Sequence, residues 1–454
     1  MRGPDGDVTD GFLFDVGSCT GCRACELACS TENELGWGRS WRQVVPFNEE
    51  RRPGIPTFHL SLACNHCDDA PCMSQCPSLA IGREASTGAV LIDAERCIGC
   101  RYCSWVCPYD ALPYDDRLSV MTKCTSCNHR LKDARAPACV DACPTVALRF
   151  GPLEGEQDTP GFPATPAGPR IRFRPLKQGV WPAESTWSLT EDVIASFDRS
   201  RPDTGQGITL RSELPLWLFT TASAALVGWI SAAAAGNVEV NALLFVPLAT
   251  AALAVSTLHL GRPLRAWRAV FNIGRSRLSW EIAAFGAFLG VTALTLMWVD
   301  PPVALRWVAS GTGLLALLCI DRVYDPVRAA ESVPIHSADA LLTGPLFAAA
   351  LLEAQSAFGV LGVIKLVLYF RRKSLEGHGA GSVRRGFLVA VRIGFGLTLP
   401  PVLWWLWPEA WAGWGLLSLG LGELVDRGEF YEGLEITTPR TQAHRDALGW
   451  GKSN

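Results

Sequence analysis

The stretch CIGCRYCSWVCP, residues 97–108, decides the fold of the first third of the chain, because its cysteine spacing recurs throughout that region. Residues 19–29 repeat its CxxCxxCxxxC pattern, and residues 64–77 read CNHCDDAPCMSQCP. Residues 124–144 carry four further cysteines around a longer middle segment and also end in Cys-Pro. All but one of the 17 cysteines therefore form four groups of four, numbered here in chain order.

Groups with this spacing are typical of 4Fe–4S ferredoxins, in which three cysteines wrap one cluster and the fourth ligates a neighbouring cluster. We expect the fourth cysteine to start a helix, since the proline that follows it in three groups is tolerated in a first helical turn. The four groups supply four thiolate ligands to each of four clusters, with none left over. The sequence therefore predicts an α+β ferredoxin-like double 4Fe–4S module over residues 1–150.

Other uses of cysteine fit these groups less well. A disulfide framework suits a small secreted domain, whereas this region continues into long apolar segments. Zinc sites also use CxxC pairs, but a third cysteine two residues further on, followed by CxxxCP, is poorly suited to a tetrahedral zinc knuckle. A Rieske-type centre would need histidine in place of cysteine, and every group is complete.

The composition changes sharply along the chain. The formal net charge of the 454 residues is −3, so no basic excess indicates nucleic-acid binding. Long apolar runs after Leu214 exclude a single soluble globule. Repeated prolines and glycines predict a covering arm or linker over residues 151–213. We expect an all-α membrane helix bundle over residues 214–430 and a C-terminal tail over residues 431–454.

Eight apolar segments are candidate membrane spans, each of which needs about 20 apolar residues. The fifth and sixth run together from Ala340 to Phe370 and also fit one long tilted helix. Eight spans are favoured, because seven would place the arginines of residues 371–385 on the side opposite the other arginine-rich loops. The segments are Leu214–Gly236, Ala242–Leu260, Glu281–Val299, Val303–Ile320, Ile335–Glu353, Gln355–Arg371, Gly386–Trp407 and Glu409–Glu423.

Arginines lie in the loops on the side of the cysteine-rich module, mainly in residues 262–277 and 371–385. The opposite loops, Asn237–Asn241 and Asp300–Pro302, contain no lysine or arginine. By the positive-inside rule, the arginine-rich side faces the cytoplasm. We therefore expect a multi-pass protein of the bacterial inner membrane whose iron–sulfur module is cytoplasmic. Arginines that dock this module would produce the same bias.

Polar residues at the ends of the second and third segments predict a quinone site. His259 ends the second segment, Glu281 begins the third, and Arg262 lies in the turn between them. A quinone headgroup in the bilayer needs hydrogen-bond partners and a proton route at this depth, which a histidine and a carboxylate near an arginine provide. Ordinary interfacial polar residues are the alternative interpretation.

Other polar residues lie deeper in the apolar segments. Glu353, Lys365 and Arg392 either pair structurally or line a proton path. A b-type haem normally needs two axial histidines, and only His259 and His336 lie near the ends of spans. We therefore expect no haem, and electrons that pass directly from a cluster to quinone.

Five stretches resemble a known family. CNHCDDAPCMSQCP at residues 64–77 and CIGCRYCSWVCPYDA at residues 97–111 resemble the four-cluster electron-transfer subunit of the dimethyl sulfoxide reductase family of molybdenum enzymes. STLHLGRPLRAW (256–267), SRLSWEI (276–282) and GELVDRGEFY (422–431) resemble the membrane anchor subunit of that family. The resemblance covers nearly the whole sequence except the Pro-rich arm. The fusion departs from the family, which normally makes these parts as separate chains.

The resemblance implies that groups one and four share two clusters and that groups two and three share the other two. The implied ligand sets are site I (Cys19, Cys22, Cys25, Cys143), site II (Cys29, Cys124, Cys127, Cys139), site III (Cys64, Cys67, Cys72, Cys107) and site IV (Cys76, Cys97, Cys100, Cys103). Spacing alone also permits adjacent pairing, one with two and three with four. The family's cluster order implies that site IV lies nearest the membrane and site I nearest the molybdenum partner.

The resemblance also implies a partner catalytic subunit with molybdenum bis-pterin guanine dinucleotide, and a quinone site that includes His259 and Glu281. Respiratory members of the family face the periplasm, whereas the charge bias here indicates the cytoplasm. We expect a subunit that relays electrons between that partner and the quinone pool, cytoplasm-facing and sulfite-dehydrogenase-like. The alternatives are the quinol-oxidising subunit of a periplasm-facing dimethyl sulfoxide, S-oxide or N-oxide reductase, and a membrane redox sensor.

Overall fold

The computed structural model divides the chain into two compact units, one of Met1–Gly207 with Ile436–Asn454 and the other of Ile208–Glu435. We refer to them as the cluster unit and the membrane unit. The predicted Pro-rich arm is described only as far as residue 174. The structure describes residues 10–49, 57–174, 213–236, 238–327, 335–375, 382–408, 411–434, 436, 438–443 and 446.

The cluster unit consists of short strands and short helices in the described part of the chain. Its elements are β1 (Asp10–Asp15), α1 (Ala24–Glu32), β2 (Gln43–Phe47), β3 (Phe58–Leu62), α2 (Pro71–Ser74), β4 (Ile81–Arg83), β5 (Val90–Ile92), α3 (Tyr102–Trp105), β6 (Tyr114–Asp115), β7 (Val120–Met121), α4 (Asn128–Lys132), α5 (Ala138–Asp141), β8 (Leu148–Pro152) and β9 (Ile171–Arg174). The predicted ferredoxin-type α+β module is confirmed.

Strand pairing brings distant cysteine groups together. β1 precedes group one and pairs antiparallel with β8, which follows group four. β9, from the Pro-rich arm, pairs parallel with the other edge of β1. Phe12 and Phe14 alternate along β1 with less buried residues and face the core, as a half-buried strand requires. Groups two and three are joined by the β4–β5 hairpin, with Ile81 opposite Ile92.

The prediction that the fourth cysteine starts a helix is wrong. In α2, α3 and α5 the third cysteine of the group is the second helical residue, and the fourth lies beyond the helix end. The following proline disfavours helical conformation at the residue before it, so the helix must end before that cysteine. Group one has Ser30 after Cys29 instead of a proline, and α1 continues through Cys29 to Glu32.

The membrane unit is helical, and a helix overlaps each of the eight segments predicted from the sequence. Leu214–Ala235, Arg277–Met297, Val303–Val323 and Phe387–Leu406 are long and apolar enough to cross a membrane, whereas Ala242–Thr257 and Ala340–Leu351 are apolar but shorter. The helices are α6 (Leu214–Ala235), α7 (Ala242–Thr257), α8 (Arg277–Met297), α9 (Val303–Val323), α10 (Ala340–Leu351), α11 (Gln355–Leu375), α12 (Ser382–Ile393), α13 (Leu399–Leu406) and α14 (Leu416–Gly433). Four candidate spans are therefore shown among the described residues, and the count of eight stays a proposal.

The fifth and sixth predicted segments form two helices and not one long helix. α10 ends at Leu351 and α11 begins at Gln355, with Glu353 between them in a left-handed conformation at φ 52°.

Close packing of α10 on α6 depends on glycine. A Cβ atom on Gly228 would lie 2.6 Å from the carbonyl oxygen of Gly344, so the two backbones approach where side chains are absent.

The C-terminal residues fold with the cluster unit, although they follow the last membrane helix in sequence. Asp446 accepts a hydrogen bond from the Gly161 amide at 2.5 Å and another from the Gln442 side chain at 2.7 Å. Ala443 packs against the cluster-unit core. Gln442, Ala443 and Asp446 of the predicted tail are therefore packed parts of this unit.

Candidate functional site

All four cysteine groups share one local backbone conformation. The residue two positions after the first cysteine has a positive φ in each group, which turns the loop back on that cysteine. In groups two, three and four the amide of this residue donates a hydrogen bond to the first sulfur at 3.3–3.4 Å. Such inward-pointing N–H groups favour an anionic occupant. The four residues are Gly21 (72°), His66 (46°), Gly99 (70°) and Ser126 (56°).

The structure brings the cysteines together in the crossed sets. Cys107 of group three lines one cavity with Cys64, Cys67 and Cys72 of group two, which is site III. In site IV, Cys76 of group two interacts electrostatically with cysteines of group three. Groups one and four interact in the same way, which gives sites I and II. Adjacent pairing of the groups is therefore not the arrangement that the structure shows.

The four sites form a series. Electrostatic contacts join Cys25 to Cys139 between sites I and II, and Cys64 to Cys124 between sites II and III. Cys72 and Cys103 join sites III and IV. All eight cysteines of the two inner sites are buried, whereas sites I and IV have cysteines that reach the surface. The surface-reaching cysteines are Cys19, Cys22 and Cys143 in site I and Cys100 in site IV.

The chemistry of the four sets fits iron–sulfur clusters. Burial and the neighbouring sulfur of Cys64 raise the pKa of the Cys107 thiol to about 12, and burial raises the pKa of the Cys103 thiol well above its ordinary value. A bound metal centre would supply the positive charge that keeps such thiols deprotonated. Among the described residues, no three or more His, Cys, Asp or Glu side chains converge closely enough for a single metal ion. Quartets of cysteine thiolates are the ligands that 4Fe–4S clusters use.

Three buried basic residues near the sites were missed by the sequence analysis as functional residues. Arg42, His66 and Lys123 are each no more than 5% exposed. Lys123 donates to the carbonyl of Cys124 at 2.8 Å and also contacts the carbonyl of Val90. Burial, followed by the charge of Lys123, lowers the pKa of His66 well below its ordinary value. The available signals were the positions of His66 between Cys64 and Cys67 and of Lys123 next to Cys124.

The described part of the Pro-rich arm covers site III. Phe162 stacks on Tyr109 with ring centroids 5.0 Å apart, and the Tyr109 hydroxyl hydrogen-bonds Thr165 at 2.8 Å. The amide of Asp68, next to Cys67, donates to the Gly168 carbonyl at 2.8 Å. The arm thus shields the cysteine loop from water.

The predicted quinone residues lie around the loop that joins α7 to α8. His259 follows α7 and its Nδ1 contacts the carbonyl oxygen of Ser256. Arg262 precedes a short 3₁₀ segment, Pro263–Val270. Glu281 is buried in the second turn of α8, where it interacts electrostatically with Arg427.

Arg427, which interacts electrostatically with Glu281, was not selected by the sequence analysis. It is buried, donates to the Ala338 carbonyl at 2.9 Å and to Thr220 at 3.2 Å, and pairs with Asp321 at 3.4 Å. Its position in the GELVDRGEFY stretch, within an apolar helix, was the available signal. The carboxylates of Glu281 on α8 and Asp321 on α9 and the guanidinium of Arg427 on α14 are therefore all buried here.

Lys365 and Arg392, whose roles the sequence left open, pair with acidic residues of α14. Lys365 lies 3.0 Å from Glu423, and Arg392 lies 2.9 Å from Glu423 and 3.1 Å from Asp426. All four side chains are almost completely buried. Arg372 extends the network through Asp426 at 3.5 Å and Glu429 at 3.0 Å. Glu353, by contrast, is exposed in its turn.

Together, the cysteine sites and the apolar helices define an electron-transfer protein of the multi-cluster ferredoxin type joined to a membrane domain. Comparison with known proteins agrees with this class. Residues 55–153 match the 4Fe-4S dicluster domain, and residues 212–328 match the dimethyl sulfoxide reductase anchor subunit family.

Curated relatives extend the comparison over the cluster unit. One of them, from the anaerobic dimethyl sulfoxide reductase of Haemophilus influenzae, is 42% identical over 153 residues, which are 32% of this chain and 74% of the relative. A second, from the sulfite dehydrogenase of Allochromatium vinosum, is 33% identical over 210 residues, 38% of this chain and 88% of the relative. The thiosulfate reductase electron transfer subunit of Salmonella typhi is 39% identical over 146 residues, 32% of this chain and 76% of the relative.

This polypeptide belongs to the dimethyl sulfoxide reductase family of iron–sulfur electron-transfer subunits, and it carries an anchor domain of the same family in one chain. The family resemblance seen in the cysteine groups and in the HLGRP and LSWEI stretches is therefore confirmed. The protein is integral to the membrane and has an electron-transfer role.

Proposed function

We propose that this chain relays electrons through four 4Fe–4S clusters between a molybdenum-containing catalytic subunit and quinone in the bacterial inner membrane. The observation that carries the proposal is the series of four cysteine sites with surface-reaching cysteines only at its two ends. Clusters bound there would supply one-electron transfer, and substrate chemistry would belong to the partner, which binds molybdenum bis-pterin guanine dinucleotide. The names of the relatives, all parts of oxidoreductases, support this role.

The two ends of the series have different partners in this proposal. Site I would face the catalytic subunit, since Cys22 is exposed and Cys19 is partly exposed. Site IV would lie nearest the membrane, with Cys100 as its partly exposed ligand. Buried inner sites favour relay over exchange with soluble reactants, because the protein excludes other electron carriers from them. An eight-span anchor then holds the series at the bilayer.

The quinone site is proposed at His259, Arg262 and Glu281. A quinone exchanges two electrons and two protons, so its oxygen atoms need groups that bind and transfer protons. Glu281 is a buried carboxylate near Arg427, and His259 is a half-buried imidazole on the preceding turn. In this assignment Glu281 and His259 hold the headgroup oxygens and exchange protons with them, while Arg262 orients the approach from the loop.

Orientation and direction are part of the proposal. The arginine-rich loops support a cytoplasmic cluster unit and electron flow from a sulfite-type substrate into quinone. The similarity to the sulfite dehydrogenase relative is compatible with this direction, whereas the dimethyl sulfoxide reductase relatives favour a periplasm-facing reductase that oxidises quinol. C-terminal fusions decide between them. If the C-terminus is cytoplasmic, a fused green fluorescent protein should be fluorescent and a fused alkaline phosphatase inactive. The reverse result would assign the periplasm-facing reductase.

The quinone assignment is tested in the purified complex with His259→Ala and Glu281→Ala. We expect quinone-coupled turnover to fall at least about a hundredfold, as for loss of one acid–base group, while dye-coupled turnover stays at the wild-type level. Arg306→Ala is the matched control, since Arg306 lies on α9 and pairs with the exposed Asp300. Unchanged quinone kinetics in both variants would remove the two residues from the site.

A further inference from the structure

Arg42 is a charged side chain in an unusual position. It precedes β2, is only 2% exposed, and lies with its guanidinium carbon 4.5 Å from the centre of the Phe12 ring. Its Nη1 atom donates to the carbonyl oxygen of Ser61 at 2.9 Å and to the Ser61 hydroxyl at 3.3 Å. No carboxylate pairs with it in the described part of the chain. A buried cation is costly unless negative charge compensates it.

The compensating groups are cysteines of two different sites. Arg42 interacts electrostatically with Cys25 of site I and with Cys29, Cys124 and Cys139 of site II. Ser61 also links it to Cys25, whose sulfur lies 3.2 Å from the Ser61 hydroxyl. Cys25 and Cys139 are the pair through which sites I and II meet. Arg42 therefore bridges the first two sites of the series.

We propose that Arg42 is a positioning residue that raises the reduction potentials of the clusters at sites I and II relative to those at sites III and IV. This inference rests on the proposed four-cluster relay. Each cluster takes up one electron and no bond is made or broken, so the reduced form carries one more negative charge. A fixed positive charge in a medium of low dielectric stabilises that form, and hydrogen bonds to ligand sulfur act in the same direction.

The position of Arg42 between two sites affects electron flow from one to the other. Because one guanidinium serves both sites, it stabilises both reduced clusters together and keeps the step between them close to balanced. Lys123 lies at the next gap, beside the carbonyl of Cys124, and does not touch site I through any contact that the structure describes. The cysteines that interact with Arg42 all belong to sites I and II, so its effect should be confined to two of the four clusters.

The test is potentiometric titration of the purified complex, followed by electron paramagnetic resonance. In Arg42→Met, two of the four midpoint potentials should fall while the other two stay at their wild-type values. Arg149→Met removes the same charge from the exposed face of β8 and should move none of the four. Ser61→Ala keeps the guanidinium and removes the hydroxyl between Arg42 and Cys25, so the decrease should be smaller and largest for one cluster.

Four unchanged midpoints in Arg42→Met would overturn the proposal, and so would an equal shift of all four. If Arg42→Met loses iron, Arg42→Gln decides in its place. It removes the charge but keeps a polar side chain that can still donate to Ser61, so a decrease confined to two midpoints supports the proposal and unchanged values reject it. A wild-type complex without four clusters and about sixteen iron atoms per chain would instead reject the relay itself.

Discussion

The cluster unit and the membrane unit both bury polar groups, but they encode them differently. In the cluster unit one loop conformation occurs four times, and every loop carries cysteines at nearly the same spacing. In the membrane unit the buried charged residues follow no repeated sequence pattern. They pair between helices that are far apart in sequence, as Lys365 and Glu423 do. The repeated cysteine sites can therefore be recognised in the sequence, whereas ion pairs between distant helices cannot.

The two units also differ in what compensates the buried groups. Buried cysteines of the cluster unit need a bound metal centre to stay deprotonated, because burial raises the pKa of thiols such as those of Cys107 and Cys124. The membrane unit compensates its charges with its own side chains, since Arg392 is paired with both Glu423 and Asp426. Loss of one group should therefore affect function in the first unit and folding in the second.

The largest effect is expected from Cys64→Ser, which removes a ligand from inner site III. One cluster of four should be lost, so iron should fall from about sixteen to about twelve atoms per chain. Because site III lies between sites II and IV, quinone-coupled turnover of the complex should be lost, with dye-coupled turnover retained. Iron analysis and the two assays measure this. Cys319→Ser changes the cysteine outside the quartets and should alter neither value.

Retention of quinone-coupled turnover after loss of the site III cluster would show that electrons bypass this site. The series deduced from the Cys64–Cys124 and Cys72–Cys103 contacts would then be wrong.

The next effect concerns the membrane unit. Arg392→Met leaves Glu423 and Asp426 without one of their buried partners, which typically costs about 3–5 kcal/mol. We expect the thermal midpoint of the detergent-solubilised protein to fall, with four clusters still bound. Arg306→Met is the control, because Arg306 pairs with the exposed Asp300 and such pairs contribute about 0–1 kcal/mol. Equal midpoints for the two variants would contradict the structural role of the buried network.

The sequence predicts the four cysteine sites because iron ligation requires particular residues at particular spacings. It does not predict Arg42, since an arginine that precedes a strand has no local signature and becomes a bridge only when β2 and β3 place it beside Ser61. The helices around the cysteines were misplaced for a local reason. The proline after the fourth cysteine ends a helix through its effect on the preceding residue, and it was interpreted as a first-turn proline.

In the membrane unit, apolar segments predict where helices lie but not which polar residues meet. The pairing of Lys365 and Arg392 with the same glutamate depends on how α11 and α12 pack against α14. The charged stretch GELVDRGEFY indicated an important helix, yet only the fold shows that Arg427 approaches Glu281. Residues that act across a helix interface have partners that spacing does not reveal.

One glycine substitution in each unit compares a glycine that helix packing requires with a glycine that a cysteine loop requires. Gly228→Ala places a methyl group 2.6 Å from a backbone oxygen of α10, and overpacking of this kind typically costs about 1–3 kcal/mol. Gly99→Ala puts alanine at φ 70° in a cysteine loop, which costs about 1 kcal/mol. Thermal midpoints should fall in both variants, more for Gly228→Ala. A lower iron content is expected only for Gly99→Ala, and a reversed iron result would contradict the assignment of these two constraints.

The smallest effect is expected in the C-terminal segment, which follows α14 in sequence but belongs to the cluster unit. Asp446 accepts the hydrogen bond of the Gly161 amide, and one such bond contributes about 1 kcal/mol. Asp446→Ala should therefore slightly lower the temperature at which the visible absorbance of the clusters is lost, whereas Asp446→Asn, which keeps an acceptor oxygen, should lie closer to the wild type. The cluster signal is the informative measurement, because Ile436–Asn454 belongs to the cluster unit. An effect on helix unfolding with no change in cluster loss would instead assign this segment to the membrane helices that precede it.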